Sequence, residues 1–369
     1  MNAFVVTATR SMKSYASKVA EYLSKIPRFS NISDSFRNGV DIMTVDRFAD
    51  GEIEVSIEES VRGKDIILFT NCSENEAGIG VNEAKIELYH TIDALKRSQA
   101  RDIFVFEPFI SCSRSDRTTR RNSVGLWVHF KTLACLGVKH IVTYQLHSNK
   151  SEAMLDPTIC ALDDMPTLNL MKRYLCDTYI RDIKTLEEDV RPNWAFCSVD
   201  AGGEKIAREF ANAFLAPLVV AYKQRDYSRY NAVESVNILS SMPIEGKVIW
   251  IVDDMIDTGG SIEELIRTLE DLKPKEINIA VVHAVFSPPA AKRLNSLWER
   301  GLLNRVIVGD TVSTSAFSEM NRRIEVVPST EFSAKIVHGL ITNQPMGKLK
   351  QPFNAEKYLK SPNLFNVEM

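Results

Sequence analysis

The sequence lacks the features that mark several large classes of protein. Its six cysteines are scattered and include no Cys-x-x-Cys pair, which is typical of reduced cysteines that serve mostly in packing. No apolar run is long enough to span a bilayer, and the first residues show no basic segment followed by an apolar one, as a signal peptide would. These absences predict a cytoplasmic protein with no membrane partner.

Positive charge is not in excess either. The 45 Lys and Arg residues stand against 48 Asp and Glu residues, a formal net charge of −3, so we expect no nucleic-acid partner. The composition is otherwise ordinary for a globular protein, and a sizeable core is available. A length of 369 residues predicts two domains.

The most informative stretch runs from Val248 to Ser261. Its first residues form a continuous apolar run, which predicts a strand buried on both faces of a parallel sheet. Two adjacent carboxylates, Asp253 and Asp254, end this run. The loop after them carries a third carboxylate, two hydroxyls and two glycines: Asp257, Thr258, Gly259, Gly260 and Ser261. The apolar spacing over residues 262–272 then predicts a helix.

This arrangement favours a site for a phosphorylated sugar. Ligands of parallel α/β sheets bind beyond the carboxyl ends of the strands, and the start of a helix attracts phosphate. Glycines let the backbone approach the anion, whereas Asp253 and Asp254 suit the hydroxyls of a sugar beside it. No Lys follows the glycines, so the loop is not a P-loop. A capping box of Ser261 and Glu264 would explain the end of the loop but not the acid pair.

The stretch resembles the phosphoribosyl-diphosphate (PRPP) loop shared by type I phosphoribosyltransferases and ribose-phosphate pyrophosphokinases, the PRPP synthetases. The resemblance implies that residues 257–261 hold the 5-phosphate of ribose and that Asp253 and Asp254 face its 2- and 3-hydroxyls. Four further segments resemble the ribose-phosphate pyrophosphokinases in particular.

The first of these segments is Phe48 to Glu52. Alternating apolar and polar residues over 53–57 indicate a strand, and Asp50-Gly51 indicates a turn, so the pattern alone favours a hairpin. Phe48, Asp50 and Glu52 match a family segment that reaches ATP in a neighbouring subunit. The resemblance implies that the aromatic ring stacks on adenine, and that the protein is a homo-oligomer, a hexamer or a dimer by analogy.

Two more segments follow predicted strands in the first half of the chain. Arg114-Ser115-Asp116 lies in a charge run of the kind that is usually solvated, but Arg suits phosphate, and the triplet aligns with the family's Arg-Gln-Asp, whose Arg contacts ATP. A lone His is more often structural, yet His147 matches the family His that supports Mg²⁺ and ATP binding. Gln145 stands where the family has Asp, which predicts lower Mg²⁺ affinity or activity.

The last segment contains an acidic loop and a basic pair. Asp200 precedes Gly202 and Gly203, and the pattern alone leaves a plain turn and a metal or phosphate role equally open. In the family the equivalent loop supplies an acid to the magnesium–diphosphate region. Lys223 and Arg225 also look like ordinary solvated bases, but they match the family's catalytic Lys-x-Arg pair. Such cations stabilise the charge that develops on phosphoryl oxygens.

The resemblance extends over residues 4–342 or so and implies an α/β fold. Two similar phosphoribosyltransferase-like domains are expected, each a parallel sheet flanked by helices, with the active site between them. Residues 1–160 form the ATP side, 161–343 carry the PRPP loop, and 344–369 form a tail that we expect to be extended or disordered. Residues 181–192 are hydrophilic and resemble an insertion.

The implied activity is that of a ribose-phosphate diphosphokinase. It combines ATP with ribose 5-phosphate, uses Mg²⁺, and releases AMP and PRPP. One alternative is a catalytically weak regulatory paralogue, which Gln145 and the altered loop at 117–122 favour. A phosphoribosyltransferase is the other alternative, but the motifs at 48–52 and His147 would have no role in it.

Overall fold

The computed structural model describes residues 3–26, 41–118, 121–224, 235–313 and 315–362. The chain divides into two compact units. The N-terminal unit comprises Met1–Pro166 and Pro328–Lys350, and the C-terminal unit comprises Thr167–Val327 and Gln351–Asn366. Among the described residues, no helix combines the length and the hydrophobicity that crossing a membrane requires.

Strands and helices alternate along most of the chain. The first half contains β1 (Phe4–Ala8), α1 (Lys13–Ser24), β2 (Met43–Arg47), β3 (Ile53–Ile57), β4 (Asp65–Phe69), α2 (Val81–Arg97), β5 (Ile103–Phe106), α3 (Gly125–Cys135), β6 (His140–Tyr144) and β7 (Ala161–Met165). The second half contains α4 (Leu168–Leu175), β8 (Trp194–Ser198), α5 (Glu204–Phe214), β9 (Leu218–Gln224), β10 (Ser235–Ser240), β11 (Val248–Ile256), α6 (Gly260–Glu270), β12 (Glu276–Ala284), α7 (Ala290–Glu299), β13 (Arg305–Gly309), β14 (Glu325–Val327), α8 (Thr330–Thr342) and α9 (Ala355–Lys360).

The N-terminal unit is built on a parallel sheet with strand order β1-β4-β5-β6-β7. Strands β1, β4, β5 and β6 are mostly apolar and buried, as a sheet with two covered faces requires, whereas the edge strand β7 carries Asp163 and Asp164. Helices α2 and α3 cover one face, and α1 with α8 covers the other. Strands β2 and β3 form a separate antiparallel hairpin, which confirms the pattern at residues 43–57.

Helix α8 reaches the N-terminal unit from the far end of the sequence. Ile336 and Val337 are fully buried in the apolar layer that also holds residues of α1 and β1. The Tyr15 hydroxyl on α1 is hydrogen-bonded to the hydroxyls of Ser329 and Ser333, at 2.7 Å each. The sequence predicts one domain over residues 161–343, which would include β7 and α8. The contacts within the structure instead assign both elements to the N-terminal unit.

The C-terminal unit has a seven-stranded sheet with order β10-β9-β8-β11-β12-β13-β14. Only the edge strand β10 is antiparallel to its neighbour. Helices α6 and α7 cover one face, and α4, α5 and α9 cover the other. Both units are thus α/β sandwiches, and the strand predicted at 248 is central in the second sheet.

Two segments that looked peripheral in the sequence take part in the core of the C-terminal unit. The expectation of an extended or disordered tail is wrong for Gln351–Lys360, because Phe353, Ala355 and Tyr358 are buried there. In the hydrophilic segment 181–192, Leu186 and Val190 are fully buried in the same layer. Both segments alternate single apolar residues with many charges, so their composition conceals the few side chains that anchor them.

Candidate active site

The acid pair lies inside strand β11 and not at its end. Pairing with β12 continues beyond the carboxylates, through Met255 with His283 and Ile256 with Ala284. Asp254 is therefore buried, at 4% exposure, while Asp253 is partly exposed at the carboxyl edge of the sheet. The backbone N–H of Asp254 donates to Asp253 Oδ1 at 2.9 Å.

The loop after β11 has only three residues before helix α6 begins at Gly260. Gly259 is the residue before the helix and has φ +73°, a left-handed conformation that glycine adopts without strain. The helix therefore starts two residues earlier than the sequence suggested, and its first turn includes Ser261. We call residues 257–261 the phosphate loop; its glycines and the first N–H groups of α6 provide the geometry of an anion site.

Arg293 on α7 supports the phosphate loop, a role that no sequence pattern indicates. Its Nη1 donates to the backbone carbonyl of Thr258 at 2.7 Å, and its Nε lies 3.1 Å from Glu263 Oε2 in the first turn of α6. The guanidinium also lies against Gly260, where an added Cβ would be 3.3 Å from Nη1. The side chain thus joins the loop, the start of α6 and α7.

The Asp200 loop lies beside the acid pair because β8 and β11 are neighbours in the sheet. Asp200 Oδ1 accepts hydrogen bonds from the N–H groups of Gly202 and Gly203, at 2.8 and 3.0 Å. A Cβ on Gly203 would lie only 3.4 Å from Asp253 Oδ1, so glycine allows this close approach. The structure therefore brings Asp200, Asp253 and the phosphate loop to one edge of the sheet.

Negative charge is concentrated at this edge. Burial, followed by the charges of Asp254 and Asp200, raises the pKa of Asp253 well above its ordinary value. A group that donates hydrogen bonds to these carboxylates, or a cation between them, would relieve the repulsion. The hydroxyls of a sugar and a divalent metal ion are groups of this kind.

The described residues contain no cluster of three or more His, Cys, Asp or Glu side chains that could form a complete metal cage. The few carboxylates at this edge nevertheless suit Mg²⁺, which is commonly held by one or two carboxylates, waters and the phosphates of a substrate. Asp200 is exposed and can reach such an ion from the protein side. The residues at this edge are therefore compatible with a bound Mg²⁺ ion.

The predicted catalytic pair is only partly within the described residues. Lys223 lies near the end of β9, where its backbone pairs with Val236 on β10. Since β9 neighbours β8, the Lys223 backbone is at the same sheet edge as the Asp200 loop. Arg225 lies outside the described residues.

The predicted nucleotide-binding aromatic residue lies at the tip of the β2–β3 hairpin. Phe48 is 52% exposed, and its N–H donates to the carbonyl of Glu52 at 2.8 Å. Gly51 has φ +96° in the turn, and Asp50 Oδ1 accepts the N–H of Glu52 at 3.1 Å. The hairpin therefore holds a large ring in solvent, where a partner can reach it.

The other predicted ATP residues follow β5 and β6 in the N-terminal unit. Arg114 is exposed, as a phosphate contact requires. Ser115 has a structural role: its Oγ accepts the N–H of Gly125 at 2.9 Å, at the start of α3. His147 is exposed beyond the end of β6.

The turn before His147 contains an unusual residue. Gln145 has φ +45°, a left-handed conformation that Asp and Asn adopt more readily than Gln. The next N–H, that of Leu146, donates to Asp164 Oδ1 at 3.1 Å. Asp164 thus places a carboxylate beside this turn, which the sequence pattern did not reveal. Two other carboxylates of this region make different contacts: Asp156 caps a turn at Thr158, and Asp163 binds His140.

Comparison with known proteins decides the family. Residues 4–137 match the model of the N-terminal domain of ribose phosphate pyrophosphokinase, and residues 178–305 match that of the phosphoribosyl transferase domain. The ribose-phosphate pyrophosphokinase of Bacillus caldolyticus is 34% identical over 69% of this chain and 73% of its own length. The chain belongs to the ribose-phosphate pyrophosphokinase family.

Further members of the family match this chain over most of its length. The ribose-phosphate pyrophosphokinase of Fusobacterium nucleatum is 29% identical over 83% of this chain and 89% of its own. The crystal structure of phosphoribosylpyrophosphate synthetase from Mycobacterium smegmatis superposes with a TM-score of 0.75 at 25% identity, and the match covers 92% of this chain and 99% of that one. The predicted two-domain α/β fold is confirmed, and so is the predicted family of diphosphate transferases.

Proposed function

We propose that the chain is a ribose-phosphate diphosphokinase, which transfers the diphosphate of ATP to the 1-hydroxyl of ribose 5-phosphate and gives AMP and PRPP. One observation carries the proposal: the acid pair, the Asp200 loop and the phosphate loop lie together at one sheet edge. The N-terminal domain shared with the pyrophosphokinases favours this activity over that of a phosphoribosyltransferase.

Ribose 5-phosphate binds at the C-terminal unit. The N–H groups of the phosphate loop and the positive end of α6 hold its 5-phosphate. Asp253 and Asp254 accept hydrogen bonds from the 2- and 3-hydroxyls, which compensates for their mutual repulsion. The sugar is thereby fixed by both of its ends, with the 1-hydroxyl oriented for attack.

The chemical step is an attack of the 1-hydroxyl on the β-phosphorus of ATP, with AMP as the leaving group. Lys223 and Arg225 stabilise the charge that develops on the phosphoryl oxygens. Mg²⁺, when bound, neutralises the triphosphate. In the C-terminal unit we assign Asp200 to Mg²⁺ binding. In the N-terminal unit we assign His147 to the same task, and Asp164 lies beside its turn.

ATP binds through the N-terminal unit. The Phe48 ring stacks on adenine, Asp50 and Glu52 contact its edge and ribose, and Arg114 contacts phosphate, while Ser115 shapes the Arg114 loop. An exposed aromatic residue on a hairpin tip suits contact with a neighbouring subunit, so we propose a homo-oligomer, a hexamer or a dimer. The six free cysteines support a cytoplasmic location.

A second candidate function rests on Gln145. A catalytically weak regulatory paralogue would keep the fold and the sugar site but lose activity, and the replacement of a family acid in a left-handed turn favours it. Asp164 at the same turn argues for retained activity, because it supplies a carboxylate from β7.

The test is turnover by the purified chain with ATP, ribose 5-phosphate and Mg²⁺. We expect AMP and PRPP in equal amounts, their loss in Lys223→Ala, and their retention in Lys292→Ala, which removes an exposed lysine of α7. Absence of turnover with ribose 5-phosphate still bound, across phosphate and alternative metals and nucleotides, would support the paralogue instead.

A further inference from the structure

A cavity of about 290 Å³ lies in the C-terminal unit, at the sheet edge opposite to the phosphate loop. Four of its lining residues are the first residues of strands β8, β11, β12 and β13: Trp194, Val248, Glu276 and Arg305. Strand β11 has nine residues, so at the usual rise per residue its two ends are on the order of 25 Å apart. The cavity is therefore separate from the proposed active site.

The inner part of the cavity carries buried polar atoms. Trp250 and Asn278 are each 1% exposed and lie side by side, because they are register partners on β11 and β12. Within the described parts of the chain, neither the indole N–H of Trp250 nor either amide atom of Asn278 has a hydrogen-bond partner. Buried polar atoms in native proteins are nearly always paired, so these three positions call for a ligand with complementary atoms.

Three aromatic side chains also line the cavity: Tyr179, Trp194 and Trp250. The Trp194 and Trp250 ring centroids are 5.4 Å apart, and those of Tyr179 and Trp250 are 5.8 Å apart. The guanidinium of Arg305 lies over the Tyr179 ring at 5.2 Å and holds that ring at the side of the cavity. An aromatic lining favours a planar heteroaromatic ligand over an aliphatic or branched one.

The mouth of the cavity is balanced in charge. Asp189 and Glu276 stand against Lys275 and Arg305, so two acidic and two basic residues line it. An excess of cations, which a polyphosphate would need, is therefore missing from the lining. The charges favour a neutral ligand.

We infer that this cavity binds a purine base, or its nucleoside, whose edge carries an amino donor beside a ring-nitrogen acceptor, as adenine does. An Asn carboxamide matches such an edge with two hydrogen bonds, and the Trp250 N–H donates to a further ring nitrogen. The volume is at the lower end of the range for small-molecule pockets, about 300–1,000 Å³, and suits one base better than a dinucleotide. The inference does not depend on the proposed function.

The experiment is calorimetric titration of the full-length Phe48→Ala variant with adenine. That background weakens adenine binding at the proposed stacking position in the N-terminal unit, and the part of the remaining binding that the cavity variants reduce is assigned to the cavity. We expect one adenine per chain, and at least tenfold weaker binding when Asn278→Leu or Trp250→Phe is added. Unsubstituted purine keeps the ring nitrogens but lacks the amino donor, and it should bind at least tenfold more weakly than adenine.

Tyr179→Phe is the matched control. It keeps the ring and removes only a hydroxyl that donates to Glu325 at 2.5 Å, so adenine affinity should stay within twofold. If thermal unfolding shows that Asn278→Leu does not fold, the conservative Trp250→Phe tests alone whether adenine binds in the cavity. Absence of adenine binding by the folded protein at millimolar concentration, or binding that neither cavity variant weakens, would overturn the inference.

Discussion

Arg293 shows how one side chain can determine the shape of the phosphate loop. Its guanidinium donates to the Thr258 carbonyl and pairs with Glu263, so it fixes the loop against two helices. A charge-assisted hydrogen bond of this kind contributes about 1.5–3 kcal/mol. The residue does not need to touch the sugar phosphate to affect its binding.

We predict that Arg293→Ala raises the KM for ribose 5-phosphate by roughly tenfold while the KM for ATP changes little. Arg267→Ala is the matched control, because Arg267 also pairs with Glu263, at 2.8 Å, but within the described residues it donates no hydrogen bond to the loop carbonyl. Steady-state kinetics with each substrate varied in turn would measure both constants. Equal effects of the two variants would show that the Thr258 contact is unimportant.

At the scale of an element, the β2–β3 hairpin has one prominent feature, the exposed ring of Phe48. A base stacked on an aromatic ring contributes about 1–3 kcal/mol. Phe48→Ala should therefore raise the KM for ATP by about tenfold or more, while Phe48→Tyr should remain close to the parent. Ile159→Ala removes another exposed apolar side chain of the same unit, at 60% exposure, and should leave the KM unchanged. An unaltered KM for ATP in Phe48→Ala would show that the hairpin does not take part in nucleotide binding.

Helices α2 and α3 are joined to β5 by a buried polar chain. His129 Nε2 on α3 is 2.7 Å from Glu107 Oε2, just after β5, and His129 Nδ1 is 2.9 Å from the Tyr89 hydroxyl on α2. Glu107 and His129 are almost fully buried. Removing one member of such a pair leaves the other without compensation in the core.

We expect Glu107→Ala to lower the free energy of unfolding by about 3 kcal/mol. The double variant Glu107→Leu with His129→Leu should lose less than the sum of the two single leucine variants, because replacing both partners leaves no uncompensated group. Denaturant titration measures all of them, with the exposed Glu59→Gln as a neutral control. Strict additivity would contradict a coupled pair.

At the scale of the molecule, the chain returns to the N-terminal unit near its end, and a charged contact helps to fix it there. Asp163 on β7 binds His140 at 2.8 Å and Lys350 at 2.5 Å. The hydrogen bond from His140, with the contribution of Lys350, lowers the pKa of Asp163 to about 2. A lowered pKa in the folded state stabilises the fold above the ordinary carboxyl value and loses that effect as the pH falls toward 2.

Asp163→Asn should therefore reduce the free energy of unfolding at neutral pH by about 2 kcal/mol and flatten its decline between about pH 4 and pH 2. Thermal unfolding across this pH range compares it with Asp93→Asn, whose exposed carboxylate pairs with Arg97 on one helix. If the free energy of unfolding of Asp163→Asn depends on pH in the same way as that of the parent, the contacts of Asp163 do not contribute to stability.

The sequence predicted what depends on local pattern and missed what depends on distant packing. The buried strand at 248, its acid pair and the glycine loop were visible because they are contiguous. Arg293 and Thr258 are 35 positions apart, and no periodicity marks their contact. The place of α8 could not be inferred, since an amphipathic helix does not reveal which sheet it covers. In α2 the spacing of apolar residues predicts Ile86 on the buried face, yet its side chain is 45% exposed.

The most direct test of the proposed activity follows the γ-phosphorus of labelled ATP. Transfer of a whole diphosphate requires that the label appear in PRPP, in a stoichiometric ratio to AMP, when ribose 5-phosphate and Mg²⁺ are present. The same label should stay in ATP when Lys223→Ala replaces the parent. Label released as orthophosphate with ADP formed, or no labelled PRPP from a protein that binds both substrates, would contradict diphosphate transfer to ribose 5-phosphate.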